Sequence, residues 1–305
     1  MRAVVALGGN AIVRHGQRGT VAQQRAAIAQ AASGLGVVAS RGIELVVTHG
    51  NGPQVGRLLL QNLAAQRRIP MMPLDVLGAE SQAEIGYMLQ QALSATLSPR
   101  PVATVITQTV VAAGDPAFAD PTKPVGPSML APAARALEAR GIAVARDEMR
   151  GGWRRVVASP RPLRLVEEAA IRALADAGIT PIAAGGGGVP VIEEDGGYRG
   201  VDGVVDKDLA AAILARATEA AMMVILTDVE HVIVDRGTRG ERSVGRMTVA
   251  EARERLEAGE FPAGSMGPKV EAVVQAAEEG RRAIITSLES VADAIEGTAG
   301  TEVVA

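Results

Sequence analysis

Cysteine is absent from this 305-residue chain, which excludes disulfides, thiolate metal sites and a cysteine nucleophile, and permits a reducing compartment. Aromatic residues make up 2% of the chain, too few for the stacking platforms on which single-stranded nucleic acid is read. Charge of neither sign is in marked excess. With a formal net charge of -3 and 21% charged residues, nothing draws the chain to nucleic acid or anionic lipid. An uninterrupted apolar run of roughly 18 to 20 residues, the length of a membrane span, is also missing. The longest candidate, ITPIAAGGGGVPVI, is broken by proline and glycine. The opening MRAVVALGGNAIV runs into GGN instead of a small-residue cleavage site and reads as a first strand, not a signal peptide. A soluble, cytoplasmic protein is expected.

The standard catalytic signatures are missing too. No H-E-x-x-H, paired-histidine metal spacing, G-x-S-x-G elbow or G-x-x-x-x-G-K-[ST] loop occurs, and GNGPQVG misses the G-x-G-x-x-G dinucleotide spacing by one residue. No protein-held metal is expected. His15, His49 and His231 stand apart from one another and read as structural or surface residues. Lysine is scarce: of 31 basic residues, three are lysine, Lys123, Lys207 and Lys269.

What the chain does have is a repeated strand-glycine pattern. Apolar runs rich in Val and Ile end on glycine at AVVALGGN (3–10), ELVVTHGNG (44–52) and PIAAGGGG (181–188), and MMVILTDV (222–229) and RAIITS (282–287) read as further strands. Between them lie helical stretches such as VAQQRAAIAQAASGLGVVAS and VEEAAIRALADAG. Non-alternating strands separated by helices specify an α/β fold with a mainly parallel sheet covered on both faces. The segment 112–164 is different. It is dense in Pro, Gly and charge and carries the single tryptophan, Trp153, so it reads as an excursion from the sheet, such as a lid.

In parallel sheets, ligands sit beyond the carboxyl ends of the strands, where loop amides and helix N-termini face anions. A glycine pair after a strand can simply form a tight turn, but the neighbouring amides of Asn10 and Asn51 suit an oxyanion. Three retained lysines in an arginine-rich chain fit compact point charges on phosphate; ordinary surface lysines are the alternative. Lys269 follows Gly267 and Pro268 at a helix start, a setting that would aim its side chain and the first-turn N–H groups at one place. Lys207 lies between Asp206 and Asp208. Either aspartate can cap a helix, yet capping gives no reason for a lysine between them. A carboxylate reaching two ammonium groups could hold both aimed at a phosphoryl group in transfer, with Asp208 orienting and Lys207 and Lys269 stabilising. An acceptor that is already anionic needs no base.

Taken in order, VVALGGNA, HGNGPQVG, LDVLGAESQAEIGYMLQQAL, DPAFADPTKPVGP, GWRRVVASPRP, AAGGGGVPV, GVDGVVDKDLAAAILA, ILTDV and GSMGPKVEA resemble the carbamate kinase family of the amino-acid-kinase superfamily, nearly end to end. The resemblance implies a three-layer α/β/α sandwich forming one domain over 1–305: an acceptor-binding lobe over about 1–180, with a protruding lid over about 112–164, and a nucleotide-binding lobe over about 181–305. It implies a homodimer and reversible phosphoryl transfer between ATP and carbamate, giving ADP and carbamoyl phosphate, run toward ATP in arginine degradation, with Mg2+ carried by the nucleotide. Carried onto matching positions, Gly8, Gly9, Asn10, Gly50 and Asn51 would hold acceptor and phosphate, and Lys207, Lys269, Asp208 and the lid residue Lys123 would be catalytic. Thr227, Asp228 and Gly267 would be nucleotide-binding. The chain departs from the family at TDVEHVI, where His231 replaces a glycine near the expected adenine region. A kinase for another small carboxylate, and a nonenzymatic nucleotide sensor, are the alternatives; a bulkier acceptor would call for a pairing arginine.

Overall fold

In the computed structural model, residues 1–13, 17–147, 151–262 and 264–305 are described, with the side chains of Asn10 and Pro127 outside the description. His15 lies outside the described residues.

The apolar runs form strands with both faces buried. Arg2–Leu7 lies beside Glu44–His49 on one side and Met222–Thr227 on the other, parallel to both. The eight-stranded sheet runs Arg246–Thr248, Thr301–Val304, Arg282–Ser287, Met222–Thr227, Arg2–Leu7, Glu44–His49, Thr180–Ile182, Val102–Thr104. Every neighbouring pair is parallel except Arg282–Ser287 with Thr301–Val304.

Alternate residues feed two cores, as strand geometry requires. Val4, Ala6, Val46 and Ile225 pack with the helices Lys207–Ala217 and Met266–Glu278. Ala3, Val5, Leu7 and Val47 pack on the other face with Val21–Ser40 and Leu74–Thr96. The result is the expected three-layer α/β/α arrangement, and each fully buried branched side chain adds roughly 1.5 to 3 kcal/mol. Val21–Ser40 starts on a capping box in which Thr20 and Gln23 exchange side-chain and backbone hydrogen bonds.

Within 112–164 the chain builds a sheet of its own. Lys123–Met129 pairs antiparallel with Trp153–Val157, which pairs with Val144–Arg146, and the helix Ala131–Glu138 lies beside them. The strands on either side of it, Gln108–Val111 and Pro162–Leu165, pair with each other and join Val189–Glu194 and Gly197–Gly200 in a four-stranded sheet that the sequence reading did not anticipate. Among the described residues no helix is long and apolar enough to cross a membrane.

Candidate active site

Parallel pairing brings the glycine loops to one edge. Leu7 lies opposite both His49 and Leu226, and Val47 lies opposite Ile182. The loops that follow these strands therefore emerge side by side. Their backbones interlock: the Gly8 amide donates to the Leu226 carbonyl at 3.0 Å and the Gly50 amide to the Leu7 carbonyl at 3.0 Å. The fourth loop, Ala183–Gly188, is tied down by buried polar groups. Thr48 donates to the Ala184 carbonyl at 2.9 Å, and the Ala184 amide donates to the Thr107 hydroxyl at 2.9 Å. Gln82 in turn holds the Thr107 backbone through both ends of its amide, at 2.9 and 3.0 Å. Gly186, at φ +64°, comes so close to Asn51 that a Cβ would sit 2.1 Å from its Nδ2. Asn51, the residue just before the helix Gly52–Ala65, is fixed by donating to the Ser81 hydroxyl at 2.8 Å.

Two more helices begin at this edge and bring in the charges. At the start of Lys207–Ala217, Asp206 accepts from the Asp208 amide at 3.0 Å. Asp208 is nearly inaccessible, with its side chain 3% exposed. Its Oδ2 accepts from Lys269 Nζ at 2.7 Å and its Oδ1 from Lys207 Nζ. Burial alone would push this carboxyl up, but the two ammonium groups reverse the effect and hold it at about 2. Burial depresses Lys207, helped by repulsion from Lys269 and opposed by Asp208. Lys123 reaches in from the protruding sheet to Asp206 Oδ2 at 2.9 Å.

These groups face one cleft of about 410 Å3, lined by Gly8, Gly9, Gly50, Asn51, Lys123, Lys207, Asp208, Thr227, Asp228 and Lys269, together with Asp206, Arg154, Gly186 and Ser265. Ten of the twelve residues singled out from the sequence are thus brought together. The side chain of Asn10 lies outside the described residues. Gly267 lies behind the wall and does not line the cleft: its amide donates to the Pro262 carbonyl at 3.0 Å, and a Cβ would press on that carbonyl. With Pro268 lacking an N–H, the first turn of Met266–Glu278 offers fewer amides to an anion than its sequence suggested. Lining residues with charged side chains that sequence reasoning left out of the site are Arg154 and Asp206. Arg154 sits in GWRRVVASPRP, a stretch that carries the family resemblance but no recognisable chemistry of its own, and the capping signal of Asp206 concealed its second contact.

His49 is buried beneath the loops, its Nδ1 3.1 Å from the Gly50 carbonyl. Burial lowers it to about 4, the Gly50 hydrogen bond opposes this, and Lys207 pushes it lower still. It is a neutral structural residue. Among the described residues there is no cluster of three or more His, Asp or Glu suited to a metal ion. Asp206 and Asp208 are each paired with lysine.

Residues 1–287 match the family model described as the amino acid kinase family. The chain is 47% identical over 309 residues to the carbamate kinase of Pyrococcus horikoshii, covering 99% of this chain and 98% of that one. It is 48% identical over 302 residues to the carbamate kinase of Halobacterium salinarum, covering 99% and 97%. The chain belongs to the carbamate kinase family. A solved structure, carbamate kinase from Giardia lamblia bound to AMP-PNP, superposes with a TM-score of 0.92 at 40% identity, covering 99% of this chain and 98% of that one. The amino-acid-kinase fold expected from the sequence therefore holds, and family membership makes the chain an ATP-dependent kinase.

Proposed function

We propose that the chain transfers a phosphoryl group reversibly between ATP and carbamate, giving ADP and carbamoyl phosphate. The observation that carries this reading is the buried Asp208 carboxylate holding Lys207 and Lys269 on a cleft walled by glycine loops. A carbamate oxygen is already anionic, so it can attack the γ-phosphorus without a base. The new P–O bond forms as the bond to the bridging oxygen of ADP breaks, and ADP leaves with the electron pair. Charge then spreads over the equatorial phosphoryl oxygens, where preorganised ammonium groups act with little reorganisation. Lys207 and Lys269 supply this stabilisation, Asp208 aims them, and Lys123 adds a third cation from the protruding sheet, which serves as a lid. Gly8, Gly9, Asn10, Gly50 and Asn51 hold acceptor and phosphate. Thr227 and Asp228 line the nucleotide side, and bound Mg2+ would neutralise the phosphates.

This reading divides the domain into an acceptor lobe, about 1–180, and a nucleotide lobe, about 181–305. Carbamoyl phosphate is a reactive mixed anhydride, which favours the direction toward ATP, as at the end of arginine breakdown, in a cytoplasmic homodimer. Arg154 could have marked a bulkier acceptor, but its guanidinium already donates to the Gly126 carbonyl at 3.0 Å and pairs with Asp147 at 3.4 Å. Formation of ATP from ADP and carbamoyl phosphate, in a coupled assay with acetyl phosphate and larger acyl phosphates as controls, is the test. Preference for carbamoyl phosphate is expected. No ATP from it, or faster turnover of a larger acyl phosphate, rejects the reading.

A further inference from the structure

Asp206 does more than cap a helix. Its Oδ1 accepts from the Asp208 amide at 3.0 Å, which is all that capping requires. Its Oδ2 is taken by the ammonium of Lys123, 83 residues away on the protruding sheet, at 2.9 Å. One carboxylate thus ties the protruding sheet to the start of the helix that carries Lys207 and Asp208, on the wall of the cleft.

Lysine has a flexible four-carbon stem and a strongly hydrated head, and it loses much rotamer freedom when held in one place. Lys123 stands at the first position of its strand and is 31% exposed, so its own backbone does little to aim it. An ion pair this open adds little stability. Its effect is geometric: it sets where a third positive charge stands relative to Lys207 and Lys269. It also neutralises a carboxylate that would otherwise repel the anions of the cleft.

Building on the phosphoryl-transfer reading above, we infer that Asp206 is a positioning residue that holds Lys123 over the transferring phosphoryl group while fixing the helix start. It acts through Lys123. Asp206→Asn separates the two contacts, because asparagine caps as well as aspartate but cannot hold an ammonium by charge. The expected result is an unchanged melting temperature, unchanged ADP affinity by calorimetry, and kcat for ATP formation from ADP and carbamoyl phosphate lowered about ten- to a hundredfold. Acting through one group makes the losses non-additive, so Asp206→Asn added to Lys123→Ala should cost nothing beyond Lys123→Ala alone. Asp206→Glu, which keeps the charge, should recover part of the rate.

Unchanged or raised kcat in Asp206→Asn overturns the inference, since the pair would then be idle or would be withholding Lys123 from substrate. A rate loss that only tracks a fall in melting temperature, or that multiplies with Lys123→Ala, overturns it equally. If the wild-type protein itself makes no ATP, the functional reading fails first, and the two failures are thereby distinguished.

Discussion

Two ammonium groups on one buried carboxylate leave a net positive charge where bulk water cannot screen it. Each lysine holds a different oxygen of Asp208, so removing either leaves the other on the carboxylate but cancels the net positive charge of the trio. Lys269, 14% exposed at its side chain, holds one oxygen of the buried Asp208, so truncating it takes a charge partner from a buried carboxylate as well as a cation from the cleft. Lys269→Ala should therefore lower turnover by about two to three orders of magnitude at temperatures where the variant is still folded, as when a preorganised charge-stabilising group is lost. Steady-state rates beside thermal melts check this, and near-wild-type turnover would reject the role. His49 gives a pH dependence of the same sign as that of Asp208 but in a higher window. The native imidazole is held near 4 against about 6.5 in the unfolded chain. Between those values the unfolded state binds the extra proton, so stability rises with pH across this window by up to about 3 kcal/mol and levels off outside it. Asp208, depressed to about 2, contributes stability that is complete above its unfolded value near 4 and is lost only as the pH falls further. A loss of stability between pH 6.5 and 4.5 is thus assigned to His49, and His49→Gln should flatten it in denaturant titrations at the two pH values. A slope that survives the substitution would place the titrating group elsewhere.

The loops that present these residues depend on backbone geometry that glycine alone supplies easily. At Gly186 a side chain meets two obstacles, a left-handed φ of +64° and the amide of Asn51 2.1 Å from the Cβ position. The first costs about 1 to 2 kcal/mol. The second is relieved only if Asn51 swings off the Ser81 hydroxyl, so the damage should appear more in function than in folding. Gly186→Ala is expected to raise the KM for carbamoyl phosphate at least several-fold while the protein remains folded. A normal KM with a lowered melting temperature would show Asn51 to be a spectator. These loops were legible in the sequence because long apolar strands ending in glycine leave a strong local pattern. The strands Arg2–Leu7, Glu44–His49, Met222–Thr227 and Arg282–Ser287 lie where the runs of Val and Ile placed them, and the helix Val21–Ser40 matches its quoted stretch end to end. Lys123–Met129 was harder to see as a strand, because Pro124 and Pro127 cannot donate to a ladder and suit only an irregular edge. Gln108–Val111 and Pro162–Leu165 are too short to show a period, and the residues they pair with lie far along the chain. Asp206 shows the same boundary at a single residue: its cap is local and readable, while its partner on Lys123 exists only in the folded chain.

At the scale of the whole molecule, the two ends of the main sheet are finished differently. The strand Arg246–Thr248 ends one side with Arg246 and Thr248 exposed and runs directly into the helix Val249–Glu257, which blunts that edge. At the other end, Val102–Thr104 lies beside a groove lined by Tyr87, Gln90, Gln91, Ser94, Thr104 and Ile106. Tyr87 is 57% exposed there and Ile106 41%. The Thr104 amide donates to the Gln90 side chain at 2.9 Å, so what this edge offers is uncovered apolar side chains, which invite self-association, and a two-fold axis through it would bury the same groove on both copies. It also lies on the far side of Glu44–His49 and Thr180–Ile182 from the nucleotide-side strands, so pairing there would leave the cleft open to substrate. The proposed homodimer is therefore expected to form through this edge. Replacing both Tyr87 and Ile106 by glutamate should set four like charges against one another across the axis and yield a folded monomer, since both side chains stand outside the core. Sedimentation equilibrium at micromolar concentration should give twice the chain mass for the wild type and a single chain mass for the variant, with the two circular dichroism spectra alike. A dimer that survives the double substitution would put the interface on another face, and a wild-type monomer would remove it altogether.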